Sequence, residues 1–115
     1  EREAMGPVLR GWLVAAGVNR EDGNSLASLA AERIAHWEAV SDRSNAAEEA
    51  ERVLRDVYRD EYESRVYTAK RYVAHIERQS PGFFEFLDRT GLSNDPTFIH
   101  QMANLGEAFV RKEGR

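Results

Sequence analysis

The sequence predicts an all-α protein of four to six helices, and three observations lead to that prediction. Only three of the 115 residues are proline, and Ala, Glu and Arg far outnumber β-branched residues, a composition that favours helix. Apolar residues recur at spacings of three and four along most of the chain, which is the helical period. No segment shows the strict alternation of apolar and polar residues that is typical of a strand.

Composition and charge narrow the classes of protein to consider. With 42% apolar and 31% charged residues, the chain fits one folded, highly charged domain. Its net charge of −4 argues against a nucleic-acid binder, which usually carries a basic excess. No apolar run approaches the roughly 18 residues of a membrane span, so we expect no membrane segment. The chain starts at Glu1 without a signal-peptide pattern, which suggests a fragment of a longer protein.

The first segment, residues 1–44, is predicted to form a pair of helices. One covers residues 4–16, with its start near Pro7 and its end at Gly17, a residue suited to a left-handed C-terminal cap. A polar turn is expected over residues 18–24. The second helix is predicted from about Ser25 to Val40.

The second segment is predicted to be one long central helix over residues 45–79. No proline or glycine interrupts it, although a bend is possible near residues 59–61. Asn45 and Glu48 have the spacing of a capping box. Three acid-before-base pairs at i,i+4 would support the helix: Glu48–Arg52, Glu51–Arg55 and Glu61–Arg65.

Apolar residues in the second half of that helix follow the 4-3-4-3 spacing of a coiled-coil seam. This seam predicts self-association, and therefore a homo-oligomer. The self-association residues are Tyr62, Val66, Ala69, Val73 and Ile76.

The third segment, residues 80–115, is predicted to be a helical hairpin over about 81–112. Pro81 would open the first helix and Gly91 would end it. Asp95 followed by Pro96 has the pattern of an N-cap with proline at the first helical position. One apolar stripe marks the second helix: Phe98, Ile99, Met102, Leu105 and Phe109.

No constellation of residues suggests catalysis, a cofactor or a metal. His36, His75 and His100 stand alone in separate segments, without metal-ligand spacing. The acidic residues of 48–63 alternate with arginines, which is typical of a solvated helix face. We therefore predict a non-enzymatic protein, although a helical fragment attached to a missing catalytic part stays open.

The hairpin also has the outline of a helix-turn-helix, and a nucleic-acid-binding module is the alternative. Its second helix would present the following residues to the bases: Asp95, Thr97, His100, Gln101 and Asn104. Gln101 and Asn104 suit adenine edges. However, no Arg or Lys follows Asp95 until Arg111, so the residues that usually hold phosphates are missing.

Two stretches resemble the C-terminal region of tailed-bacteriophage head-assembly (scaffolding-type) proteins or minor virion structural proteins. They are LRDVYRDEYESRVYTAKR from Leu54 and FFEFLDRTGLSNDPTFIHQMANLGEAF from Phe83, with TGLSNDP (Thr90–Pro96) as the most specific piece. WLVAAGV from Trp12 also resembles a helix end in such proteins. Where the family has Trp-Gly, this chain has Tyr58-Arg59, which favours an uninterrupted helix, and Asp95 replaces a histidine.

The resemblance implies a partner in building a procapsid, located in the host cytoplasm during assembly and then within the procapsid or virion. Scaffolding-type proteins self-associate and contact the coat protein through a small C-terminal helical element. From helical spacing, we predict that the hairpin binds a coat or other virion protein. The partner-binding residues are Arg89, Leu92, Phe98, Arg111 and Lys112.

Overall fold

Six α-helices and two short 3-10 turns make up the computed structural model, which describes the backbone of residues 2–113 and the side chains of residues 6–112. The prediction of an all-α fold with four to six helices is confirmed. In that part of the chain, no helix is long and apolar enough to cross a membrane. The helices are α1 (Arg2–Ala15), α2 (Arg20–Glu38), α3 (Ala46–Tyr58), α4 (Tyr62–Gln79), α5 (Phe83–Thr90) and α6 (Pro96–Glu113).

The predicted N-terminal pair of helices is present, but both helices begin earlier in the chain than predicted. Helix α1 begins at Arg2 and contains Pro7, so the predicted start near Pro7 is wrong. Gly17 ends α1 as predicted, with a φ of +103°. Helix α2 begins at Arg20 rather than Ser25, because the side chain of Asn19 caps it by accepting the Asp22 N–H at 2.8 Å. This cap outweighs the turn preference of the residues that follow.

The chain is helical from Ala46 to Gln79, with a 3-10 turn at Arg59–Glu61 where the sequence allowed a bend. Arg59 takes a φ of +54° and is the one non-glycine residue with positive φ in the described chain. The expectation that Arg59, in place of a glycine, would favour an uninterrupted helix is therefore wrong. Asn45 makes no side-chain capping hydrogen bond, so the capping box is not formed.

Only one of the three predicted ion pairs on this stretch is formed. Arg55 Nε contacts Glu51 at 2.8 Å as predicted. Arg52 pairs with Glu49, one residue away from the predicted Glu48. Arg65 instead reaches α6, where it pairs with Glu107. Charged side chains on this stretch therefore pair with residues of another helix as well as with residues one turn away in their own helix.

The two helices predicted for the C-terminal hairpin are present and meet through the turn at Leu92–Asn94, with one corrected start. Helix α5 begins at Phe83, because Gly82 is its N-cap with a φ of +110° and Pro81 lies in the preceding turn. Glu77 of α4 accepts the N–H groups of Gly82 at 3.2 Å and Phe84 at 2.8 Å. Gly91 ends α5 in the left-handed conformation, as predicted.

Helices α4 and α6 pack side by side at the centre of the molecule, which measures 45 × 37 × 22 Å. Their close approach depends on Gly106, since a Cβ there would lie 2.6 Å from the Thr68 carbonyl oxygen. Helix α1 covers the other side of the core, where Trp12 makes edge contacts with Phe83 and Phe86. The apolar residues of α5 and α6 are thus mainly core rather than surface.

Candidate docking groove

An open apolar groove of about 490 Å³ lies between α4 and the C-terminal hairpin. Residues of α4, of α5 and the corner after it, and of α6 line this groove. The lining residues are Val66, Ala69, Lys70, Val73, Phe84, Leu87, Asp88, Leu92, Ser93, Phe98, Ile99 and Met102. We call this surface the docking groove.

The start of α6, a helix that lines the docking groove, is held by Asp95, whose side chain is fully buried. One carboxylate oxygen accepts Arg33 Nε–H at 2.6 Å and Trp37 Nε1–H at 2.9 Å. The other accepts the Phe98 N–H at 2.8 Å, which confirms the predicted N-cap of α6. Asp95 therefore fixes the start of α6 to α2. No sequence pattern indicated its pairing with Arg33 and Trp37, which are distant in the chain.

Gly91 brings the corner of the hairpin against the same indole. Its φ is +91°, and a Cβ at this position would lie 2.8 Å from Trp37 Cγ. Glycine is therefore required both by the left-handed backbone and by the close approach of the ring. This contact fixes where α5 ends and so sets the position of the α5 residues that line the docking groove.

The rim of the docking groove carries an exposed aromatic ring and two opposite charges. Phe84 of α5 is 48% exposed. Lys70 of α4 and Asp88 of α5 are also exposed. Neither takes part in an ion pair with the side chains that the structure describes. No sequence pattern distinguished Phe84 from the buried phenylalanines beside it.

The structure separates the five predicted partner-binding residues. Leu92 and Phe98 are 0% and 1% exposed and belong to the core cluster, and both also line the docking groove. Arg89 is exposed on α5, with its guanidinium 5.9 Å from the Phe86 ring. Arg111 and Lys112 are exposed in the last turn of α6, roughly 22 Å along the helix from Pro96. The three cations therefore do not form one cluster.

The predicted self-association seam mostly faces the interior. Ala69 and Ile76 are 4% and 0% exposed and belong to the core, and Ala69 also lines the docking groove. Tyr62 is half-buried beneath Arg55, whose guanidinium lies 4.2 Å from the ring centroid. Val66 and Val73 are half-buried on the wall of the docking groove. The seam therefore packs largely within one chain, because α6 already covers it.

The three histidines do not meet. His36 is exposed on α2, next to the Trp37 ring. His75 Nε2 lies 3.0 Å from the Ala16 carbonyl oxygen, and its ring lies beside that of Phe109. His100 is hydrogen-bonded to the Tyr58 hydroxyl. Among the described residues, no group of three or more His, Cys, Asp or Glu side chains could hold a metal ion.

A polar network joins the end of α3 to α4 and α6. The Tyr58 hydroxyl and His100 Nδ1 are 2.6 Å apart, and the Arg65 guanidinium lies over the Tyr58 ring. Arg65 also donates to Asn104 Oδ1 at 2.8 Å. Burial raises the pKa of Tyr58, an effect that Arg65 partly opposes. Every member has a neighbour within the chain, so the network serves the packing of α3 on α6.

The same network bears on the helix-turn-helix alternative. His100 and Asn104 of the expected base-reading face are engaged with Tyr58 and Arg65. Gln101 and Asn104 also border a smaller groove of about 330 Å³, whose other side is formed by α2 and includes Asp22. Of the five residues of this face, Asp95 is buried, His100 and Gln101 are half-buried, and Thr97 and Asn104 are exposed.

None of the protein-family models, curated proteins or solved structures compared with the chain matches it. The head-assembly resemblance therefore rests on the residues themselves, chiefly Thr90–Pro96. In the structure these residues form the end of α5, the corner of the hairpin and the first residue of α6. They include both Gly91 and Asp95, which position the docking groove.

Proposed function

We propose that this chain is a non-enzymatic, scaffolding-type module of tailed-bacteriophage head assembly, which self-associates and binds a coat or other virion protein. The observation that carries the proposal is the docking groove, an open apolar surface of about 490 Å³ with a half-exposed Phe84 at its rim. Exposed apolar surfaces of this kind are characteristic of protein–protein contacts. Grooves between helices typically receive an apolar helix face or an aromatic anchor.

The two contacts use different parts of the surface. Self-association is assigned to the docking groove, because three of the five seam residues line it, namely Val66, Ala69 and Val73. The virion-protein contact is assigned to the exposed cations of the hairpin, Arg89, Arg111 and Lys112. Charged contacts at an exposed rim mainly affect association rate and salt dependence, which suits a partner that must later be released. The implied location is the host cytoplasm during assembly, and then the procapsid or virion.

Co-sedimentation with coat protein in an assembly reaction tests the virion-protein contact. Removing residues 80–115 would not be informative, because α5 and α6 supply a large part of the core. The test instead uses the full chain carrying Arg89→Glu, Arg111→Glu and Lys112→Glu. We expect the wild-type chain to co-sediment less as salt rises, and the triple variant to be lost from the pellet.

The matched control carries the same change of charge elsewhere, at the exposed Arg20, Arg59 and Arg78. This control should co-sediment like the wild-type chain. Equal co-sedimentation of the two triple variants would contradict the assignment of the hairpin cations. Absence of wild-type co-sedimentation at low salt would contradict the proposed function itself.

A further inference from the structure

We propose that two copies of this chain also associate by exchanging halves, with the turn at Arg59–Glu61 as the hinge. In the exchanged dimer, residues 46–79 of each copy form one continuous helix, and the α1–α3 half of each copy packs on the α4–α6 half of the other. The proposal goes beyond the proposed function and does not depend on it. All residues that line the docking groove lie between Val66 and Met102, so the exchange keeps the groove lining within one copy.

The break between α3 and α4 is strained, and no local sequence signal encodes it. Arg59 takes a φ of +54°, in the left-handed region that glycine tolerates and other residues rarely adopt. No proline or glycine occurs between residues 46 and 79, and Glu61, the N-cap of α4, makes no side-chain capping hydrogen bond. The side chains of the turn are exposed, so burial does not hold them there. Continuing the helix through the turn therefore relieves the strain.

Packing of α3 on α6 keeps the chain bent in the single copy. The buried face of α3 ends at Tyr58, whose hydroxyl lies 2.6 Å from His100 Nδ1 of α6. Across the turn itself, the exposed Arg55 guanidinium lies 4.2 Å from the Tyr62 ring centroid. An unbroken helix over residues 46–79 would be about 50 Å long, which exceeds the 45 Å of the longest dimension of the molecule. Straightening this segment therefore carries α3 away from its own α6.

A second copy of this chain restores the contacts that straightening breaks, because it carries both halves. Arg33 and Trp37 of α2 donate to Asp95 of α6, and His75 of α4 lies 3.0 Å from the Ala16 carbonyl oxygen after α1. In the exchanged dimer the same pairs form between copies, so these contacts are kept while two strained turns are removed. Exchange of an identical element is a low-cost route to a dimer. Any other partner would have to reproduce these contacts with a different sequence.

Sedimentation equilibrium of the full chain tests the proposal, after equilibration through mild denaturant so that the halves can separate. The wild-type chain should form a dimer as its concentration rises. Arg59→Gly should raise the dimer Kd by roughly a hundredfold, because glycine tolerates the turn of the single copy and disfavours both continuous helices of the dimer. Arg59→Ala keeps the strain and favours helix, so it should dimerise at least as well as the wild type. The matched control is Arg52→Gly at an exposed position that is helical in both forms, and it should leave the Kd unchanged.

Spin labels measure the straightening directly, because the native chain has no cysteine to interfere. The labels are attached to Ala47→Cys and Arg78→Cys, two exposed positions on α3 and α4. Dilution with unlabelled wild-type chain ensures that each dimer holds at most one labelled copy. In the dimer the labels should be about 45 Å apart, the length of continuous helix between them. The single copy should give a shorter distance, because its chain turns at Arg59.

A wild-type chain that stays monomeric at every concentration would overturn the proposal. A dimer that Arg59→Gly does not weaken, or whose label distance stays that of the single copy, would overturn it too. Phe84→Ser separates the exchange from the docking groove, since it changes the groove and leaves the hinge unchanged. Loss of the dimer in Phe84→Ser but not in Arg59→Gly would remove the exchange and leave self-association through the groove standing. Failure to co-sediment with coat protein would contradict the proposed function alone.

Discussion

Replacing Asp95 with alanine should destabilise the fold by about 3–5 kcal/mol, the usual cost of breaking a buried, hydrogen-bonded charge pair. Three hydrogen bonds end on this fully buried carboxylate. Its removal leaves the Trp37 Nε1–H without an acceptor, at about 1–3 kcal/mol, and takes the N-cap from α6, at about 1 kcal/mol. Arg33 contributes less, because its side chain is 29% exposed and can turn to water.

Chemical denaturation followed by far-ultraviolet circular dichroism measures this change in the free energy of unfolding. A loss of about 3–5 kcal/mol is a large part of the roughly 5–15 kcal/mol that holds a domain folded. Asp95→Asn keeps one capping oxygen and should lose less than Asp95→Ala. The control is Asp56→Ala on the exposed face of α3, where we expect a change within about 0.5 kcal/mol. Equal free energies of unfolding for Asp95→Ala and Asp56→Ala would refute the role given to the buried carboxylate.

Three further predictions concern helix contacts, the backbone and pH. Gly106→Ala should destabilise by about 1–3 kcal/mol, because its Cβ would clash with the Thr68 carbonyl, whereas Gly11→Ala in open space on α1 should stabilise by about 0.5–1 kcal/mol. Chemical denaturation of both variants measures this. A free energy of unfolding that changes in the same direction in Gly106→Ala and Gly11→Ala would contradict the prediction. Arg59→Gly should stabilise by about 1 kcal/mol, since it relieves a φ of +54°, and a lower melting temperature would argue against strain there. Burial raises the pKa of Tyr58 and Tyr72 above 10.0, so the stability that their neutral forms contribute is present below that pH and lost as pH rises through the folded-state values. Chemical denaturation at successive alkaline pH values should show that the free energy of unfolding falls less with pH in Tyr72→Phe than in the wild type. An equal fall in the two proteins would contradict this prediction.

Local signals predicted the C-terminal half of the fold well. Gly91, Asp95 and the apolar stripe of α6 are defined by residues within one or two turns of each other, and each is observed where the sequence placed it. The starts of α2 and α5 were predicted less well. Asn19 caps α2, so this helix begins within the segment that was predicted to be a polar turn. Gly82, whose N–H donates to Glu77, is the N-cap of α5, so this helix begins after Pro81 and not at it.

The site itself was beyond local reasoning, because its features depend on which helices meet. Periodicity gives the apolar face of α4, but not whether α6 or another chain covers it. Burial of Ala69, Ile76, Leu92 and Phe98 follows from the α4–α6 pairing and not from their spacing. The presence of Lys70 and Asp88 beside the same groove likewise appears only when α4 and α5 are folded together.

The native chain has no cysteine, so one introduced thiol can report on the docking groove alone. Ser93→Cys places the thiol at the groove with little change in size, and Ser28→Cys places one on the exposed face of α2. The measurement is the rate of thiol labelling as protein concentration rises. We expect labelling at Ser93→Cys to slow as copies associate, while labelling at Ser28→Cys keeps its dilute rate. A rate at Ser93→Cys that stays constant up to the highest concentration would contradict a protein interface at the docking groove.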